Sequence, residues 1–242
     1  MPPEHTLTLW ANACAEANIP WYLSRETLLC AVGYKSFPET LKNVRVMVFA
    51  KDLPVIFQDV FPCLPHSWQL SKENFTTKER ILSLTQGDTP VLIIDVLCPV
   101  KDQEDMVELS SRFSALRAKT NRTVNYRKYV RALFGSGIGK LYEKSTRKRF
   151  SKAFDALLAA VRALSHKQPF YCDSLTCKDA VLLERSLFQE TVFLSCQGHD
   201  YPVFSGYTQY LTQLYGDYET GLTDDIGVGL SVEEKESLIL HV

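Results

Sequence analysis

Val91-Leu92-Ile93-Ile94-Asp95-Val96, bounded by Gly87-Asp88 and by Pro99, is a nearly continuous apolar run interrupted by one carboxylate. A run of this length between turn residues reads as a strand covered on both faces, because a strand with one wet face alternates. Val44-Arg45-Val46-Met47-Val48-Phe49 is β-branched and alternating, and it reads as a second strand beside the first. Alternation puts Asn43, Arg45 and Met47 on one face of the second strand, and Ile93 and Asp95 on one face of the first. A lone carboxylate inside an apolar strand needs a partner, and Arg45 is the cation placed to supply it.

Outward from these strands the chain alternates helix and strand. Leu7 to Asn18 carries Leu9, Trp10, Ala13 and Ala17 at helical spacing, with Asn18 before Ile19-Pro20 as a stop. Pro20-Trp21-Tyr22-Leu23 is a short β-prone run, and Thr27 to Val32 a compact helix ending at Gly33. Pro54 to Phe61 reads as a short helix or loop. Helical spacing runs from Gln103 to Leu164, broken at Gly135-Ser136-Gly137-Ile138-Gly139. Phe170-Tyr171-Cys172 and Thr191-Val192-Phe193-Leu194 read as strands, and Lys178 to Glu184 as a short helix between them. Tyr207 to Tyr215 is expected to be a helix closed by Gly216, with Tyr210, Leu211 and Leu214 toward the core. The fold class is therefore α/β (α+β), a mixed central sheet flanked by helices, with a helical insert over about 103–165 and a loose acidic tail over about 223–242. One domain, 1–242, is expected from the 242 residues and 45% hydrophobic content.

A net charge of -1 with both signs interspersed argues against a surface built for nucleic acid, so no nucleic-acid partner is expected. Seven cysteines, at 14, 30, 63, 98, 172, 177 and 196, form an odd set lying mostly in apolar stretches, which suits reduced thiols and a cytoplasmic chain. Cys172 and Cys177 have no second pair near them, so a zinc site is set aside. No stretch reaches the roughly 18 apolar residues of a membrane span, and the basic residues of 127–152 allow at most peripheral membrane contact, with a solvated helical face preferred. His199 beside Asp200 has no nucleophile at readable spacing and is not read as a general base.

Two blocks resemble the LicD-type, fukutin-related family of phosphotransferases. Tyr201-Pro202-Val203, Tyr207-x-x-Tyr210-Leu211 and Leu214-Tyr215-Gly216-Asp217-Tyr218 are similar to that family's C-terminal signature, an apolar-Pro segment and a Tyr-Leu helix closed by Tyr-Gly-Asp-Tyr. Ala17 to Leu23 followed by Thr27-Leu28-Leu29-x-Ala31-Val32 resembles its opening, histidine-Gly-Ile, an aromatic, then Gly-Gly-Thr-Leu-Leu-Gly-Ala-Val-Arg. Ile93-Ile94-Asp95-Val96 with Pro99 is similar to its Phe-Ile-Asp-Ile-Phe-Pro strand. The resemblance implies a nucleotidyltransferase-like sheet and transfer of phosphocholine or a similar phosphodiester group from a cytidine-diphosphate donor to a cell-surface glycan. Such chemistry uses divalent metal held by carboxylates on adjacent strands.

The family's metal motif, Asp-Asp-Asp-Ile-Asp, falls on Leu41, Lys42, Asn43, Val44 and Arg45, so no aspartate remains there. Asn43 is a weak magnesium ligand, and Arg45 puts fixed positive charge where a cation is expected. The paired glycines are Arg25 and Glu26, the later glycine is Cys30, and the arginine after Ala-Val is Gly33. Asp95 persists as a remnant carboxylate at the catalytic position, and Thr27, Asp217 and Tyr218 are carried over as substrate-binding positions. The expectation is a catalytically degenerate chain with no cofactor and no metal, whose partner is a glycan, a cytidine nucleotide or a protein. The alternative is an active Mg2+-dependent enzyme that recruits Asp52, Asp95, Asp217 and Asp224 into a rearranged site.

Overall fold

The computed structural model describes residues 1–38, 41, 44–70, 82–87, 89–111, 159, 163, 167–173 and 180–218. Its frame is a mixed sheet in the order β1-β2-β5-β4-β3, where β1 is Trp21–Leu23, β2 Val44–Phe49, β3 Trp68–Leu70, β4 Leu82–Gln86 and β5 Thr89–Val100. Among the described residues only β2 and β5 run parallel; β1 pairs antiparallel with β2, and β4 with β5 and β3. The two strands that decide the fold are thus central neighbours, as their composition predicts. Every residue of β5 from Val91 to Val100 is buried, which accounts for its lack of alternation.

β5 is long enough to serve three partners, β2, β4 and a third strand at its end. Its C-terminal end pairs with β6, Phe170–Cys172, and β6 pairs with β7, Leu182–Glu184. β7 corrects the short helix expected over Lys178 to Glu184: Val181-Leu182-Leu183 satisfies helical and extended patterns alike, and the open edge of β6 supplies hydrogen bonds that select the extended one. β8, Thr191–Cys196, and β9, His199–Phe204, form a separate hairpin. Gln197 and Gly198 both take positive φ, 51° and 79°, as a two-residue turn between right-twisted strands requires.

Helix α1, Pro3–Glu16, buries Leu7, Trp10, Ala13 and Cys14, and Asn18 at φ 53° turns the chain toward β1. Helix α2, Arg25–Gly33, starts two residues before the predicted Thr27 and directly follows β1. Pro54 to Phe61, the expected short helix or loop, lies within a run of short successive helical turns over residues 50–63. Helix α3 covers residues 103–111 at the start of the expected insert, with the Asp102 side chain capping the Asp105 amide at 2.9 Å. The rest of the insert apart from residues 159 and 163, the basic residues of 127–152 and the acidic tail lie outside the described residues. Helix α4, Tyr207–Tyr215, ends at Gly216; Tyr210 and Leu211 are fully buried, and Leu214 is partly buried against the same core. Tyr22, Phe49, Tyr171, Phe188 and Phe204 pack edge to face or stacked between sheet and hairpin, and Phe204 reaches Tyr210 at 5.6 Å. Among the described residues no helix is long and apolar enough to cross a membrane.

Candidate functional site: a buried double ion pair

The β2–β5 register sets Arg45 opposite Ile93 and Met47 opposite Asp95. Opposed residues of parallel strands share a face, so Arg45 and Asp95 emerge on the same side, two residues apart. The guanidinium spans that offset and grips the carboxylate with two donors, Nη2 to Oδ1 at 2.6 Å and Nε to Oδ2 at 3.1 Å. Ser24, the residue between β1 and α2, donates its hydroxyl to Asp95 Oδ2 at 2.6 Å. Both oxygens of Asp95 are therefore occupied. Glu26 lies on the other side of the same guanidinium, its Oε2 at 3.5 Å from Nη1.

A second pair lies beside the first. Arg25 Nη2 donates to Asp173 Oδ2 at 2.7 Å, and the Tyr210 hydroxyl donates to the same oxygen at 3.0 Å. The Val181 amide donates to Asp173 Oδ1 at 2.8 Å, so the carboxylate that terminates β6 is held by α2, by α4 and by the approach to β7. The Ser24 and Tyr210 hydroxyls are 3.4 Å apart and join the two pairs into one network. Four charges sum to zero here, those of Arg25, Asp95 and Asp173 buried and that of Arg45 half-buried, and Glu26 adds a negative charge at the rim.

Burial opposes the charge of Arg45, yet Asp95 and Glu26 overcome it and raise its pKa. For Asp95, burial pushes upward, while Arg45 and Arg25 together with the hydrogen bonds pull harder and leave it below the usual carboxylate range. Asp173 goes the other way: burial raises it beyond what Arg25 restores, and the nearby Asp95 adds to the rise. Burial also raises the Tyr210 and Tyr215 phenols, and the acidic neighbours that assist it, Asp173 and Asp95 for Tyr210 and Glu26 and Asp95 for Tyr215, place α4 over both pairs.

Arg25 has φ 44°, a left-handed conformation that glycine adopts freely and that arginine adopts at a cost. This is the position at which the resemblance expects the first of two glycines. The β1–α2 turn thus has the positive φ of a glycine turn, while the Arg25 side chain is committed to Asp173. No protein-family profile, no curated protein and no solved structure matches the chain.

The other sequence-derived positions fall around this network. Thr27 is fully buried and its hydroxyl accepts the Arg45 amide at 2.8 Å, tying α2 to β2. Cys30 is buried in α2 with its thiol pushed up to about 12 by burial, Gly33 ends the helix, and Leu41 is buried. Asp217 is exposed and Tyr218 buried just past α4. Lys42, Asn43 and Asp224 lie outside the described residues. His199 is exposed, and Asp200 accepts a hydrogen bond from Ser195 across the hairpin. Among the described residues no three His, Cys, Asp or Glu side chains are grouped to hold a metal ion.

A divalent ion does not fit the arrangement at Asp95. Three of its four lone-pair sites accept from Arg45 and Ser24, and the guanidinium brings a fixed positive charge against the same carboxylate. Ser24 and Asp173 were not singled out by sequence reasoning, and Tyr210 was expected in the core and in the C-terminal signature but not as a site residue. A signal for Asp173 did exist: a second arginine on the buried start of a helix requires a second buried acid.

Proposed function

We propose that this chain is a LicD-like, nucleotidyltransferase-like protein in which an internal cation, the Arg45 guanidinium, stands in for divalent metal, and that it serves in binding rather than in phosphodiester transfer. The observation that carries this reading is the bidentate Arg45–Asp95 pair on the one parallel strand pair of the sheet. The left-handed backbone at Arg25, where the family's glycine is expected, supports the resemblance independently. Its ligand would be a cytidine nucleotide, a glycan or a protein partner, engaged without ion-mediated charge neutralisation. A cytoplasmic location belongs to the same proposal and rests on the free thiols of Cys14, Cys30, Cys63, Cys98, Cys172 and Cys196.

Titration calorimetry with magnesium or manganese, with and without a cytidine nucleotide, tests the reading. The expected result is no metal heat in either case. Metal binding at micromolar concentration would overturn it in favour of the rearranged-carboxylate enzyme.

A further inference from the structure

Cys98 on β5 and Cys172 on β6 are directly opposed in the antiparallel ladder. Opposed residues in such a ladder have Cα atoms about 4.5–5.5 Å apart, inside the window of about 4.4–6.8 Å that a disulfide spans. Both residues are free thiols and almost fully buried, at 0% and 1% exposure. Burial pushes the Cys98 thiol up, and the neighbouring Cys172 thiol adds to the rise. They are close in sequence to the charged network: Cys172 immediately precedes Asp173, and Cys98 follows Asp95 by three residues, which places it on the opposite face of β5.

We propose that Cys98 and Cys172 form a redox-reactive dithiol, oxidised by low-molecular-weight disulfides to a cross-strand disulfide that staples β6, and with it Asp173, to β5. β6 contributes only three residues to the sheet, so its local opening exposes Cys172 without unfolding the β2–β5 centre. The Cys172 thiolate attacks one sulfur of the small disulfide and expels one thiolate. The Cys98 thiolate then attacks the Cys172 sulfur of the mixed disulfide and expels the second. Two electrons pass to the reagent's disulfide, and the two protons lost by the cysteines end on the two released thiols. Burial of the pair makes the step slow in the closed protein, and the same burial shields the product from reduction.

The full chain is incubated with oxidised glutathione under native conditions, alkylated, digested and mapped by mass spectrometry. The expected product is a Cys98–Cys172 cross-linked peptide two hydrogens lighter than the thiol pair. The oxidised protein should melt roughly 5–10 °C higher, reversibly with dithiothreitol, and Cys98→Ala and Cys172→Ala should each abolish the rise. Exposed Cys63 is the internal control for reagent activity. Recovery of Cys98 and Cys172 as alkylated thiols while Cys63 is glutathionylated overturns the proposal, as does a Cys172–Cys177 linkage. A correct linkage with unchanged melting removes the stapling role. The mapping uses the unaltered chain, so it stands even where an alanine variant fails to fold.

Discussion

Ser24 and Tyr210 bring their hydroxyls to within 3.4 Å, and each gives its proton to a different buried aspartate, Ser24 to Asp95 and Tyr210 to Asp173. The two ion pairs thus meet at this contact without sharing a carboxylate, and each can be perturbed while the other serves as reference. The expected outcomes below use that separation.

Replacing Arg45 with alanine strands Asp95, and denaturant unfolding should show a loss of about 3–5 kcal/mol. Replacing both partners, Arg45→Met with Asp95→Leu, should be far milder than the sum of the single changes, because the only charge left without Arg45 is then Glu26 at the rim, where water reaches it. Equal losses from the double and the summed single variants would show that the pair is not coupled.

Arg25 combines a buried ion pair with a left-handed backbone, and two substitutions separate these roles. Arg25→Ala and Arg25→Gly both strand Asp173, but only glycine relieves φ 44°. The glycine variant should be the more stable of the two by about 1 kcal/mol. Alanine equal to glycine would mean that the turn relaxes out of the left-handed region.

The two carboxylates should respond oppositely to acid. Asp95 has a lowered folded-state pKa, so its contribution is complete above the unfolded value of about 3.9 and is lost as pH falls through the lower folded value. Asp173 has a raised folded-state pKa, so its contribution is largest below the unfolded value and declines as pH rises through the folded one. Urea unfolding from pH 3 to 6 should therefore lose its acid-side fall in Asp95→Asn and its opposing slope in Asp173→Asn. A shift of both carboxylates in one direction by carbon-13 NMR would contradict this.

Gly216 ends α4 at φ 68° and ψ -136°, a region open to glycine alone, and a Cβ there would meet nothing within 4 Å. Gly216→Ala should lower stability by about 1–3 kcal/mol through the backbone only. Asparagine should not rescue it, since its tolerated positive-φ conformation has positive ψ. Rescue by asparagine in thermal unfolding would indicate a different cap.

The parallel centre was legible because Val44–Phe49 and the run from Val91 are strongly apolar, and alternation alone then brings Arg45 and Asp95 to one face. The strands that escaped notice are those whose pattern is weak. β4 carries Ser83, Thr85 and Gln86, and β9 contains Pro202, a residue that argues against a strand until its pairing with Phe193 in a lone hairpin is seen. β7 was read as helix because its leucines satisfy either period. Asp173 and Tyr210 were invisible as site residues for another reason: they reach Arg25 through tertiary packing of β6 and α4, which no local spacing encodes.

The distance along the chain between Arg25 and Asp173, 148 residues, also sets an order of events during synthesis. At about 5–20 residues per second, Arg25 leaves the ribosome roughly 7–30 s before its acid does. Arg45 waits less, since Asp95 follows it by 50 residues. A nascent chain halted between these points would hold one guanidinium paired and the other still seeking a counter-charge, with Tyr210 not yet made. That half-built chain offers a chaperone or a protease a stage at which β1, β2 and β5 can assemble while the lock that closes them is still missing.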